Sequence, residues 1–139
     1  MNISADSGKS VLIVEDEGSI RDVLVELFEV EGNVVTSAQF LNEALSLLRT
    51  HRFDLIVTDL RLGGKRDGGL QVMALASMLS PDAMTLVLTA YPDDSYRQAS
   101  FRLGAVQFLE KPVDLATIAA HAGTAGVRTA FETSLAGHQ

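Results

Sequence analysis

The chain has 139 residues, 47% hydrophobic and 21% charged, a size and balance that suit one compact domain and exclude global disorder. Eleven Lys and Arg against eighteen Asp and Glu give a formal charge of −7, which repels nucleic-acid phosphates and anionic lipid heads. Zero cysteines exclude disulfides, thiol nucleophiles and thiolate metal sites, so a metal would have to rest on oxygen or nitrogen.

Residues 1–9 are polar and rich in small side chains, and read as a flexible tail without the basic start and apolar stretch of a signal peptide. The first apolar run, Val11–Val14, predicts a strand. Ile20, Val23, Leu24, Leu27 and Phe28 then fall at helical spacing. A short strand at Val34–Val35 precedes a second helical stripe at Leu41, Ala44, Leu45 and Leu48. Leu55–Thr58 predicts the third strand, and Leu70 to Leu79 a helix that is apolar most of the way round. Thr85–Leu88 and Val106–Leu109 complete five strands, separated by a weaker amphipathic helix from Asp93 to Leu103 and followed by a stripe at Leu115, Ile118, Ala119 and Ala122. Gly123 and Gly126 each cost a helix interior about 1 kcal/mol relative to alanine, so the last helix should end or kink there. Val127 to Leu135 has enough helical character to make residues 126–139 a helical extension or the stump of a linker.

Strand and helix alternate throughout, which predicts an α/β fold: a doubly wound, five-stranded parallel sheet with helices on both faces. In such sheets the working crevice lies outside the carboxyl ends of the strands. The first strand runs into Glu15-Asp16-Glu17, the third ends at Asp59, the fourth at Thr89, and the fifth leads into Lys111-Pro112. If Glu15, Asp16 and Asp59 share a crevice with Lys111, two negative charges stay uncompensated, and a divalent cation with hard oxygen ligands would neutralise them. Two carboxylates about 4 Å apart repel by roughly 4 kcal/mol at an effective dielectric near 20, so the metal-free crevice should be strained. No apolar run approaches the roughly 18 residues of a membrane span, and a cytoplasmic location is expected.

Val-Leu-Ile-Val-Glu-Asp-Glu at 11–17, Asp-Leu-Ile-Val-Thr-Asp-Leu at 54–60, Leu-Thr-Ala-Tyr at 88–91 and Leu-Gly-Ala-Val-Gln-Phe-Leu-Glu-Lys-Pro at 103–112 together resemble a bacterial two-component response-regulator receiver domain. The resemblance spans nearly the whole chain and implies a flavodoxin-like strand order 2-1-3-4-5, with residues 10–125 as the domain. It makes Asp59 the nucleophile that takes a phosphoryl group from a phosphohistidine. Asp16 becomes a direct Mg²⁺ ligand beside the Asp59 carboxylate and the backbone carbonyl of Arg61, with Glu15 acting through water. Lys111 and the Thr89 hydroxyl would neutralise the equatorial phosphoryl oxygens. Thr89 would then move toward the phosphoryl group and let Phe108 turn inward, a switch on the face of the fourth and fifth helices. Lys111–Pro112 should be cis, and Arg61 and Tyr91 should control access of water to the acyl phosphate. The implied partners are a sensor histidine kinase or histidine phosphotransfer protein and a downstream protein or an absent output domain. A homodimer formed on phosphorylation also fits. Enzymatic activity is limited to self-phosphorylation and slow autodephosphorylation.

The loop 62–69 departs from the family pattern: it lacks the usual proline and is one residue longer, which predicts mobility. Its cations Lys65 and Arg66, with Arg61, would steer a phosphorylated donor or simply be solvated. Plainer roles stand beside these. Asp16 and Asp59 could cap helices, Thr89 could cap a turn, and Phe108 could be permanent core. A receiver-like interaction module without phosphorylation, a flavin binder on the same architecture and a magnesium phosphatase are the competing functions. Against the last, Arg61 stands where such phosphatases carry a second aspartate. His51, His121 and His138 show no ligand spacing.

Overall fold

The computed structural model describes residues 8–131. Strands β1 (Lys9–Val14), β2 (Asn33–Ala38), β3 (Leu55–Asp59), β4 (Met84–Thr89) and β5 (Gln107–Glu110) form one parallel sheet in the order β2-β1-β3-β4-β5. Helices α1 (Gly18–Phe28), α2 (Leu41–Thr50), α3 (Gly68–Leu79), α4 (Asp94–Arg102) and α5 (Leu115–Thr124) supply the crossovers.

Side chains of successive strand residues point to opposite faces, and β1 is apolar on both. Val11 and Ile13 join Leu24, Leu27 and Phe28 of α1 and Ile118 and Ala122 of α5 in one core layer. Leu12 and Val14 meet Ala44 and Leu48 of α2 and Val72 and Ala76 of α3 on the other. The all-round apolarity of α3 has a reason here: Met73, on another side of the helix from Val72, packs against Leu60, Val87 and Ala105 in a third cluster. By contrast α4 buries only Ser100.

Three expected boundaries shift. β2 is longer than Val34–Val35, because as an edge strand it is defined by its ladder to β1, which continues through the polar Thr36 and Ser37. Lys9 belongs to β1, paired with Asn33, so the fold begins before residue 10. It also continues past residue 125. Gly126, at φ +77°, closes α5 by donating to the Gly123 carbonyl, and Val127 donates to the Ala122 carbonyl, both at 3.0 Å. Val127 is thereby carried into the α1/α5 core layer, where it is fully buried. Residues 127–129 are not helical, whereas 130–131 are, and the rest of the expected extension lies outside the described residues.

Candidate functional site

The strand ends do share a crevice. Glu15 follows β1, Asp59 ends β3 and Lys111 follows β5; the Lys111 ammonium donates to Glu15 Oε1 at 2.9 Å and to Asp59 Oδ2 at 3.2 Å. Glu15 is 1% and Asp59 6% exposed, so neither carboxylate can rely on bulk water for stabilisation. Glu15 Oε2 also accepts from the Glu17 backbone N–H at 3.1 Å. Burial first, and then the charge of Glu15, push the Asp59 carboxyl up to about 7 against the opposing pull of Lys111. Burial draws the Lys111 ammonium down, but its bond to Glu15 and the charges of Asp59 and Glu15 outweigh this and hold it above its ordinary value.

Asp16 is half-buried and accepts from the Gly63 N–H at 3.1 Å, which ties the acidic end of β1 to the loop after β3. One oxygen each from Glu15, Asp16 and Asp59 lies within 4.8 Å of the others. Ligand oxygens around octahedral Mg²⁺ sit about 2.0–2.1 Å from the ion and therefore roughly 3–4 Å apart, so the trio suits such an ion with one acid reaching it through water. The donor set is hard oxygen throughout, as a group-two cation requires. These residues line a cavity of about 230 Å³ with Arg61 and Tyr91 at its rim. The Arg61 guanidinium lies over the Tyr91 ring, 4.8 Å from its centroid.

Thr89 and Phe108 lie apart from this cavity. Thr89 is buried, and its hydroxyl accepts from the Tyr91 N–H at 3.0 Å, so the turn-capping role is the one it fills in this conformation. It lines a neighbouring cavity that shares Arg61 and Tyr91 with the first. Phe108 is half-buried against Leu60, Met73, Val87 and Ala105 and borders a surface groove with Asp93, Asp94 and Arg97. It is therefore neither closed core nor fully turned out. Lys111–Pro112 is cis, as the resemblance implies.

The longer loop is closed by its own hydrogen bonds. Leu62 and Lys65 exchange backbone bonds at 3.0 and 2.9 Å around Gly63 and Gly64, whose φ values of +58° and +82° suit glycine. Leu62 anchors the turn in the α2/α3 core layer. Sequence reasoning missed Gly69. A Cβ there would overlap the Asp59 carbonyl oxygen and lie 2.8 Å from Leu60 Cα, so only glycine lets α3 start against the end of β3. The doubled glycine before an apolar helix was the available signal.

The family model described as the response regulator receiver domain matches residues 11–122. The chain belongs to this receiver family. Among solved structures, the receiver domain resembles a response regulator from Burkholderia pseudomallei with a phosphorylated aspartic acid, calcium ion and citrate, at 31% identity and TM-score 0.72, covering 94% of this chain and 72% of that one. Among curated relatives it is 29% identical to sporulation initiation phosphotransferase F of Bacillus subtilis, over 77% of this chain and 85% of that protein. It is 34% identical to the transcriptional regulatory protein YvrH of the same organism, over 80% of this chain but 46% of that protein. The receiver domain thus spans less than half of some relatives it matches. No helix among its described residues is long and apolar enough to cross a membrane.

Proposed function

We propose that this receiver domain is a phosphorylation-controlled switch whose phosphoacceptor is Asp59. The supporting observation is a buried carboxylate at the end of β3, bonded to Lys111 and grouped with Glu15 and Asp16 at metal-ligand spacing. An Asp59 carboxylate oxygen attacks the phosphorus of a phosphohistidine; the new O–P bond forms as the P–N bond breaks, and its electron pair leaves with the imidazole. Lys111 balances charge on the transferring oxygens, and Asp16, Asp59 and the Arg61 carbonyl are the groups that would hold Mg²⁺, with Glu15 reaching it through water. The ion, when bound, supplies further neutralisation of those oxygens. Calcium accompanies the phosphorylated aspartic acid in the Burkholderia relative, which supports a divalent cation in this pocket.

Thr89 and Phe108 are the proposed readout, with the Thr89 hydroxyl leaving the Tyr91 N–H for the phosphoryl group and Phe108 turning inward from its half-buried position. Output then passes through protein contacts to a downstream partner, an output domain or a second receiver. The donor is a histidine kinase or a phosphotransfer protein, and the setting is cytoplasmic. Mass spectrometry after incubation with an acyl phosphate and Mg²⁺ tests the proposal. It predicts one phosphoryl adduct in the natural protein and none in Asp59→Asn; an adduct retained in that variant would refute it.

A further inference from the structure

The residue that follows β1 is held from four directions. Past Val14 the Glu15 N–H still bonds to the Ala38 carbonyl at 3.0 Å, and its two carboxylate oxygens take Lys111 and the Glu17 N–H. The remaining group, the Glu15 carbonyl, accepts from Arg21 Nη1 at 2.9 Å. Arg21 is the fourth residue of α1, where a cation opposes the positive end of the helix dipole. Acidic residues stand close in sequence at Glu17 and Asp22, yet among the described residues Arg21 forms no ion pair. Its guanidinium instead turns back past Gly18, where a Cβ would lie 3.6 Å from it, and ends on a backbone oxygen. Neither helix stability nor charge pairing accounts for that placement.

The Glu15 carbonyl and the Asp16 N–H belong to one planar peptide unit. A donor fixed to that oxygen therefore sets the plane from which the Asp16 side chain leaves the backbone. On the far side, Asp16 Oδ2 accepts from the Gly63 N–H at 3.1 Å, the one hydrogen bond this carboxylate makes among the described residues. We propose that Arg21 is a positioning residue, aiming Asp16 at the cation site by holding the peptide behind it while Gly63 steadies the carboxylate in front. A ligand aimed in advance loses less freedom on binding than one that must be ordered each time, and supports outside the ligand set commonly change metal affinity by about 10–100-fold. The inference rests on Asp16 as a Mg²⁺ ligand of the proposed switch. It goes further in assigning part of the affinity to a group that touches neither the ion nor the phosphorus.

The test compares Arg21→Met, which keeps the aliphatic stem and removes the donors, with Arg21→Lys, which keeps a donor, and with Val127→Ala, a core loss near the start of β1. Before any metal is added, the Gly63 amide proton should move upfield in Arg21→Met as its bond to Asp16 loosens, and stay in place in Val127→Ala. The Mg²⁺ dissociation constant, from saturating amide NMR shifts, should rise about tenfold in Arg21→Met and by less in Arg21→Lys. It should be unchanged in Val127→Ala, although that variant is less stable. An unmoved dissociation constant in Arg21→Met, or an equal rise in Val127→Ala, overturns the role and leaves the switch standing. No saturable response to Mg²⁺ in the natural protein would overturn both.

Discussion

Lys111 bonds to Asp59 from across β4: its ammonium, carried past the end of β5, reaches Asp59 Oδ2 at 3.2 Å while also holding Glu15 at 2.9 Å. One cation thus serves two buried acids, and removing it leaves Asp59 without its cation and Glu15 with only the Glu17 N–H. Lys111→Met should lower metal-free stability at pH 8 by roughly 1–3 kcal/mol, read by denaturant unfolding, and should slow phosphoryl adduct formation at least tenfold. An unchanged adduct rate would show that Lys111 serves folding alone.

The Asp59 carboxyl, at about 7, lies above its ordinary 3.8, so folding favours its protonated form. That preference is fully present below about pH 4 and is lost as pH rises through about 7. Metal-free Asp59→Asn lacks the titration. Its melting temperature should match that of the natural protein near pH 4 and exceed it by roughly 3–6 °C at pH 8, the gap opening between those limits. A gap independent of pH would contradict the burial of a charged Asp59.

Magnesium should relieve the same repulsion. At one hundred times its dissociation constant it should stabilise the natural protein by about 2.7 kcal/mol at pH 8, and Asp16→Asn should remove most of that gain. Thermal melts with and without the ion decide this. Gain surviving in Asp16→Asn would exclude Asp16 as a ligand.

Gly69→Ala should cost roughly 1–3 kcal/mol, because the added methyl overlaps the Asp59 carbonyl oxygen and the Asp59 backbone must move. Adduct formation should slow as well. Gly18→Ala is the matched control: its nearest neighbour would be the Arg21 guanidinium at an ordinary 3.6 Å, and the methyl should be neutral or stabilising. Equal effects from the two substitutions would remove Gly69 from the positioning of Asp59.

The Arg61–Tyr91 stack stands at the rim of the acidic cavity and should slow attack by water on an acyl phosphate there. Tyr91→Ala should shorten the lifetime of the phosphorylated form by several-fold, as should Arg61→Ala, with the double variant gaining little more because the pair acts as one cover. Loss of the adduct over time, followed by mass, measures this.

Much of the architecture was readable in advance because β1 and β3 are apolar on both faces and so demanded helices above and below. The acids and the lysine were readable because chemistry in such sheets gathers where strands stop. What escaped had no side chain to announce it. β2 continues through Thr36 and Ser37 by backbone pairing, which composition does not encode. Gly69 matters for the room it leaves, and Gly126 for a turn that sends Val127 back into the core. The orientation of Thr89 was also unreadable, since a threonine at a strand end serves a turn or a ligand with equal chemical ease.

Helix α4 carries a mechanical consequence. With Ser100 its one buried residue, and Phe101 still 40% exposed, it is the most lightly fastened of the five helices, yet it flanks both Thr89 and Phe108. Rearranging a densely rooted helix would demand more work than a single new covalent group can deliver. A loosely moored one can be re-docked for a few kilocalories, so in the proposed switch this margin has the least packing to undo.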